Sequence, residues 1–261
     1  MKIMICGKGG CGKSTLTILL ARALAETGKK VLVIDADESN LCLHRLLGAH
    51  QPEIMMEAMG GRTGTREVLK QAADHQHEDD FFKQVMTLDN LPGECLAEAD
   101  GIKLLVVGKI KEFGEGCACM IGGISKAVLA RLQEKADEIV LIDAEAGLEH
   151  FGRQVDKNCD LVICVVDPNY ESIQMADRAR QIAAGAGVQT YFILNKVDDE
   201  VLEAMTAGLD RQRIIAAIPR NNEIFLQNLK GQPLTATMPQ IAAACTFITS
   251  YRKPLSLNMK L

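Results

Sequence analysis

Gly7-Lys8-Gly9-Gly10-Cys11-Gly12-Lys13-Ser14-Thr15 satisfies two nucleotide-binding patterns at once. Gly7, Gly9 and Gly12 fit the dinucleotide fingerprint G-x-G-x-x-G, and Gly7 to Ser14 fit the phosphate loop G-x-x-x-x-G-K-[ST]. In both, glycines let backbone approach phosphate, and the helix that follows offers unpaired N–H groups and partial positive charge. Asp35, ending the next apolar run, even supplies the acid that a dinucleotide site uses. Lys13-Ser14 separates the two readings. A triphosphate site needs a lysine on the β/γ oxygens and a hydroxyl on magnesium; a dinucleotide site needs neither. A second acidic strand end should then lie downstream, and Glu138–Ile142 leads into Asp143-Ala144-Glu145-Ala146-Gly147. Asp143 is expected to hold Mg²⁺ or its water shell with Ser14, and Gly147 to offer an N–H to a γ-phosphate. The expected nucleotide contacts are therefore Gly9, Gly10, Cys11, Gly12, Lys13, Ser14, Thr15, Asp143 and Gly147.

A second group is Cys117-Ala118-Cys119, flanked by glycines. A C-x-C pair lets two sulfurs converge on one ion, and a helix expected just downstream lowers thiol pKa and favours thiolate. Two thiolates fill half of a tetrahedral site, and an isologous homodimer would supply the other half. Thiolates suit Ni²⁺ and Zn²⁺ alike. The alternative is two small loop residues without a ligand. His75-x-His77, among acids, reads as an exposed polar turn in preference to a metal site.

A third group, Asn195-Lys196-Val197-Asp198, matches the N-K-x-D signature in which the acid reads guanine. Asp198-Asp199 can instead open the next helix, where acids are favoured. Pro219, followed by Arg220-Asn221-Asn222, is expected to line the base pocket.

The elements that must position these groups recur along the chain. Strands are expected at Lys2–Cys6, Lys30–Ile34, Lys103–Val107, Glu138–Ile142, Leu161–Val166, Thr190–Leu194 and Ile214–Ile218, with an amphipathic helix over Lys13–Thr27. Most are continuous apolar runs, as strands buried on both faces require. Alternation with helices implies an α/β fold, a doubly wound and mostly parallel sheet, over one domain of residues 1–261. Ligands then bind at the carboxyl ends of the strands. The stretch from Gly48 to Gly101 is the least regular and is expected to form loops and short helices.

Bulk properties narrow the function. Of 261 residues, 48% are hydrophobic, enough to fill a large core. A net charge of −5 gives no nucleic-acid footprint. No apolar run is long enough to span a membrane, and the tail from Tyr251 is too short for a membrane-binding helix. The first strand leaves no room for a signal peptide, so a cytoplasmic location is expected, where nine cysteines do not form disulfides. Cys6, Cys159, Cys164 and Cys245 sit in apolar runs and read as small core residues.

Lys8 has no role in an ordinary phosphate loop. With Gly7-Lys8-Gly9-Gly10-Cys11-Gly12-Lys13-Ser14, its position resembles the deviant Walker A ATPases, which include MinD, ParA and the nitrogenase iron protein. The resemblance implies an ATP-dependent homodimer in which Lys8 reaches the partner's nucleotide, Asp37 positions the attacking water and Asp35 supports magnesium. It makes Lys8, Lys13 and Asp37 catalytic, and it implies that Asn195, beside Lys196, meets adenine. Cys117-x-Cys119 before a helix, together with Asp143-Ala-Glu-Ala-Gly-Leu-Glu-His150, most resembles the CooC type. Those are nickel-insertion ATPases whose client is carbon monoxide dehydrogenase, and the likeness runs from the first strand to about Leu234. It implies Ni²⁺ or Zn²⁺ at the cysteine pairs; His150 belongs to the pattern without a defined role. Alternatives are a MinD/ParA-like switch ATPase, a GTP-dependent nickel-insertion protein and a redox protein with a dimer-bridging cluster.

Overall fold

The computed structural model describes residues 1–73, 85–109, 118–144 and 158–253. Its strands are β1 (Lys2–Gly7), β2 (Lys30–Ala36), β3 (Leu96–Ala99), β4 (Ile102–Val106), β5 (Glu138–Ala144), β6 (Leu161–Val166), β7 (Gln189–Asn195) and β8 (Ile214–Ile218). They form one sheet in the order β3-β4-β2-β5-β1-β6-β7-β8, parallel except for the β3/β4 pair. The helices are α1 (Lys13–Glu26), α2 (Leu43–Leu47), α3 (Met55–Ala58), α4 (Gly61–Ala73), α5 (Ala118–Arg131), α6 (Tyr170–Gly185), α7 (Asp199–Ala207), α8 (Asn222–Lys230) and α9 (Pro239–Ser250).

The continuous apolar runs are explained by two cores, one on each face of the sheet. Met4, Cys6, Leu32 and Ile34 point to one core, which also takes Ile124 and Val128 of α5 and Ala176 and Ala179 of α6. Their neighbours Ile3, Ile5, Val31 and Val33 point to the other, closed by Leu16 and Leu20 of α1 and Ile241 and Ile248 of α9. This is the period-two alternation of a strand covered on both sides. The α/β doubly wound architecture expected from the sequence is the one observed. Cys6, Cys159, Cys164 and Cys245 are buried, as is Cys95, whereas Cys42 is exposed. Among the described residues no helix is long and apolar enough to cross a membrane.

The seven expected strands are present, Leu161–Val166 and Ile214–Ile218 with the expected ends and the other five with ends shifted by a residue or two. The eighth, β3, falls inside the stretch expected to hold loops and short helices. It is an edge strand of four residues paired antiparallel to β4, with Leu96 opposite Leu105 and Ala99 opposite Ile102. Asp100 and Gly101, at φ 51° and 74°, make the turn between them. Asp-Gly is the residue pair that a tight hairpin with both φ positive selects, and it was the signal available in the sequence. The same stretch also contains α4, a 13-residue helix that packs on α5. His75 and His77 lie outside the described residues, as does the tail beyond Lys253.

Register decides where the chemistry collects. Asp143 lies opposite Ile5 on one side and Asp35 on the other. The loop leaving β1 and the acids ending β2 and β5 therefore share one edge of the sheet, with Asn195 two strands away at the end of β7. Phe192 of β7 is among the largest fully buried side chains, whereas Leu229 of α8 is largely exposed. Phe192→Ala is expected to cost about 3–5 kcal/mol in denaturant unfolding and Leu229→Ala less than about 0.5 kcal/mol.

Candidate nucleotide site

The phosphate loop takes its shape from two glycines. Gly7 has φ 145°, and a Cβ there would run into the Val165 carbonyl and the Cys11 sulfur. Gly12 has φ 102° and leads into α1; a Cβ there would collide with the Asn195 amide. No side chain caps α1 and its first turn carries no acid, so its N-terminal N–H groups remain available to an anion. The end of β7 clamps the loop from behind: Asn195 Nδ2 donates to the Cys11 carbonyl at 2.8 Å, and Lys196 Nζ donates to the Gly10 carbonyl at 2.8 Å. The Cys11 side chain is buried, and burial pushes its thiol up to about 12, so Cys11 offers backbone rather than sulfur.

Behind the loop lies a set of hard oxygen donors. Ser14 Oγ donates to Asp143 Oδ2 at 2.6 Å, and Asn40 Nδ2 donates to Ser14 Oγ at 2.9 Å. Thr17 Oγ1 donates to its own helix at Lys13 O and, at 3.4 Å, to Asp143 Oδ1. Asp143 is wholly buried, and burial pushes its carboxyl up to about 6 against the pull of Ser14 and Lys13. Among the described residues no cation pairs with it. A buried carboxylate beside a hydroxyl, held by neutral donors alone, suits Mg²⁺, which takes oxygen ligands and keeps several waters. Asp35 is engaged differently. Its Oδ2 is 2.7 Å from Lys109 Nζ, and burial pushes the carboxyl up to about 7 against that pairing. The carboxylate on Ser14 is therefore that of Asp143. Asp37 lines the cleft, and its Oδ1 accepts both the N–H and the hydroxyl of Ser39, at 2.9 and 2.6 Å.

The two lysines of the loop differ. Lys13 is buried, with Nζ donating to the Lys8 carbonyl at 3.4 Å. Lys8 stands at the rim, its Nζ 2.6 Å from Glu171 Oε2 and donating to Asn169 Oδ1 at 3.4 Å. The hydrogen bond to Glu171 raises the Lys8 pKa above its ordinary value, so the lysine is cationic.

A 770 Å³ cleft runs from Gly9, Gly10, Gly12, Lys13, Ser14 and Thr15 to Asn195, Lys196, Pro219, Arg220, Asn221 and Phe225. The residues expected to meet the phosphates and those expected to meet the base thus line one cavity. Asp198 takes the second of its two possible roles: its Oδ1 accepts the Val201 N–H at 3.0 Å and caps α7. Thr15 Oγ1 meets Asn228 Oδ1 at 3.4 Å on α8. Cys119 falls in the first turn of α5, which begins at Ala118, inside the cysteine pair rather than after it. Cys117, Gly147 and His150 lie outside the described residues. Among the described residues no three His, Cys, Asp or Glu side chains form a metal cage. Sequence reasoning missed Thr17, Asn40 and Lys109. Lys109 had a signal, a lysine ending the apolar run Leu104-Leu105-Val106-Val107-Gly108; Asn40 had only its nearness to Asp37.

Two measurements check this geometry. The folded-state pKa of Asp143 lies above its unfolded value, so its charged form opposes folding above about pH 6 and not at acid pH. Without nucleotide or Mg²⁺, Asp143→Asn should raise unfolding free energy by on the order of 2 kcal/mol at pH 8, and the gain should vanish toward pH 4. Asp198→Ala should cost about 1 kcal/mol of stability as a lost helix cap while leaving the ATP-to-GTP turnover ratio unchanged.

The site has recognisable kin. The family model described as the CobQ/CobB/MinD/ParA nucleotide binding domain matches residues 2–234. An uncharacterized ATP-binding protein of Methanocaldococcus jannaschii is 45% identical over 249 residues, covering 95% of this chain and 100% of that one. The carbon monoxide dehydrogenase accessory protein CooC of Rhodospirillum rubrum is 36% identical over 240 residues, 88% of each chain. In fold, the septum site-determining protein MinD of Pyrococcus horikoshii, complexed with Mg-ADP, superposes with a TM-score of 0.64 at 21% identity over 95% of both chains. The chain therefore belongs to the CobQ/CobB/MinD/ParA nucleotide-binding family and is a P-loop ATPase.

Proposed function

We propose that this ATPase is a nickel carrier that matures a carbon monoxide dehydrogenase, working as a homodimer with the metal held between subunits by Cys117 and Cys119. The observation that carries this reading is the 36% identity to CooC across 88% of both chains. The Cys117-x-Cys119 pair in the sequence adds to it, since two thiolates per chain complete a four-coordinate soft site only across a dimer.

The residues divide the work of hydrolysis. Lys13 and the bare N-terminus of α1 take the β- and γ-phosphates. Ser14 and Asp143 hold Mg²⁺, which when bound draws charge from the phosphate oxygens. The Ser39 hydrogen bonds aim one Asp37 oxygen, leaving the other to orient water. Lys8 leaves Glu171 and meets the phosphates of the partner's nucleotide, a cation placed where charge develops. Adenine sits near Asn195 and Pro219; with Asp198 committed to capping α7, the guanine-reading alternative loses its acid.

The test is metal stoichiometry. Ni(II) is titrated anaerobically into the full chain without nucleotide, with ADP and with a slowly hydrolysed ATP analogue, beside the Cys117→Ser/Cys119→Ser double variant. One ion per dimer, lost in the variant and with an affinity that depends on nucleotide, is the expected result. Nucleotide-dependent dimers without cysteine-dependent metal would overturn the carrier reading in favour of a MinD/ParA-like switch ATPase. Strong visible absorption from an iron–sulfur cluster would favour the redox reading.

A further inference from the structure

Lys109 belongs to neither the phosphate loop nor the cysteine pair, yet it touches the acids that serve the first. Its side chain is 4% exposed, its ammonium is 2.7 Å from Asp35 Oδ2, and it donates to the Asp37 carbonyl at 2.5 Å. An ammonium taken out of water is tolerated only when paired and hydrogen-bonded, and both partners here belong to the Asp35-Ala36-Asp37 segment that ends β2. The position of Asp37 thus follows that of Lys109. Backbone ties the segment further: the Val107 N–H donates to the Asp35 carbonyl at 3.1 Å.

The residue beside it faces the other way. A Cβ on Gly108 would lie 2.6 Å from Ile121 Cγ1 and 2.9 Å from Cδ1, so the Gly108 backbone rests directly on that side chain. Ile121 is buried in the first turn of α5, two residues after Cys119. Lys109 therefore touches the acids that end β2, and Gly108 beside it touches the first turn of α5. Packed interiors have no slack to absorb a shift of either neighbour.

We propose that Lys109 is a positioning residue for hydrolysis, and that Gly108-Lys109 couples the state of the nucleotide site to the first turn of α5, where Cys119 lies. The coupling half rests on the nickel-carrier reading; the positioning half does not. When the Asp37 turn moves with its nucleotide, the ammonium must move with it or stand unpaired, and Gly108 then presses on or releases Ile121.

The experiment uses the full chain. Lys109→Met should lower kcat for ATP by about tenfold or more while KM stays within about threefold, because the phosphate loop is untouched. Lys109→Arg, which keeps the cation, should recover part of kcat. In Lys109→Met the ratio of Ni(II) affinities between the ATP-analogue and ADP states should fall toward one. A measurement without any variant guards against misfolding: in the wild-type chain, replacing ADP by the analogue should change hydrogen-exchange protection at Asp37–Asn40 and in the first turn of α5 together. A folded Lys109→Met protein with unchanged kcat would overturn the positioning role. Altered protection at Asp37–Asn40 with none in α5 would overturn the coupling. If wild-type protein binds no Ni(II) at its cysteines, the carrier reading fails while the kcat comparison still decides the role of Lys109.

Discussion

Everything at the working edge of this protein depends on the burial of three aspartates beside one another. Parallel pairing of β2, β5 and β1 puts Asp35 level with Asp143 and both next to the loop that leaves β1. Carboxylates packed this closely and away from water repel and lose solvation, and burial raises the affinity of Asp35 and Asp143 for protons. Such an arrangement persists only if cations and donors are built around it. Lys109 covers Asp35, Lys13 comes from the loop, and Ser14, Thr17 and Asn40 hydrogen-bond Asp143. The imbalance left at Asp143 is the physical reason that a divalent cation and the phosphates it accompanies are welcome at this place.

The loop is rigid where the nucleotide must be gripped and loosely held where something else must happen. Asn195 and Lys196 bond to its carbonyls from the end of β7, and Gly7 and Gly12 stand where a Cβ would collide with neighbouring atoms. Lys8, by contrast, is tied at the rim to Glu171, an exposed residue at the start of α6. A pair of that kind contributes little net stability, so the lysine can change partner at small cost. The contrast between a buried Lys13 and a releasable Lys8 fits a loop that binds one nucleotide itself and reaches toward another.

The Asn195 end of the cleft shows how local geometry decides between two meanings of one motif. Asn195-Lys196-Val197-Asp198 carries the letters of a guanine-reading sequence, but letters do not state which hydrogen bonds are made. The chain turns at Lys196, with φ 61°, and starts α7 immediately afterwards. An acid one residue ahead of a helix has unpaired N–H groups within reach, and Asp198 takes one of them.

Much of this was legible in the sequence. Apolar runs and the helices between them determined the doubly wound sheet, because strands buried on both faces cannot be polar. The phosphate loop was legible because Lys13 and Ser14 sit at fixed offsets from glycines whose φ values no other residue tolerates. Strand ends carrying Asp35, Asp143 and Asn195 followed from the same patterns. Tertiary structure alone decided the rest. Asp143 was expected near Ser14, but that Asp35 beside it is taken up by Lys109 instead depends on strand order and register. Asn40 and Lys109 join the site through long-range contacts that no local spacing encodes. Gly108 is an ordinary glycine in the sequence, and it becomes a point of close approach only because α5 packs its first turn against the end of β4.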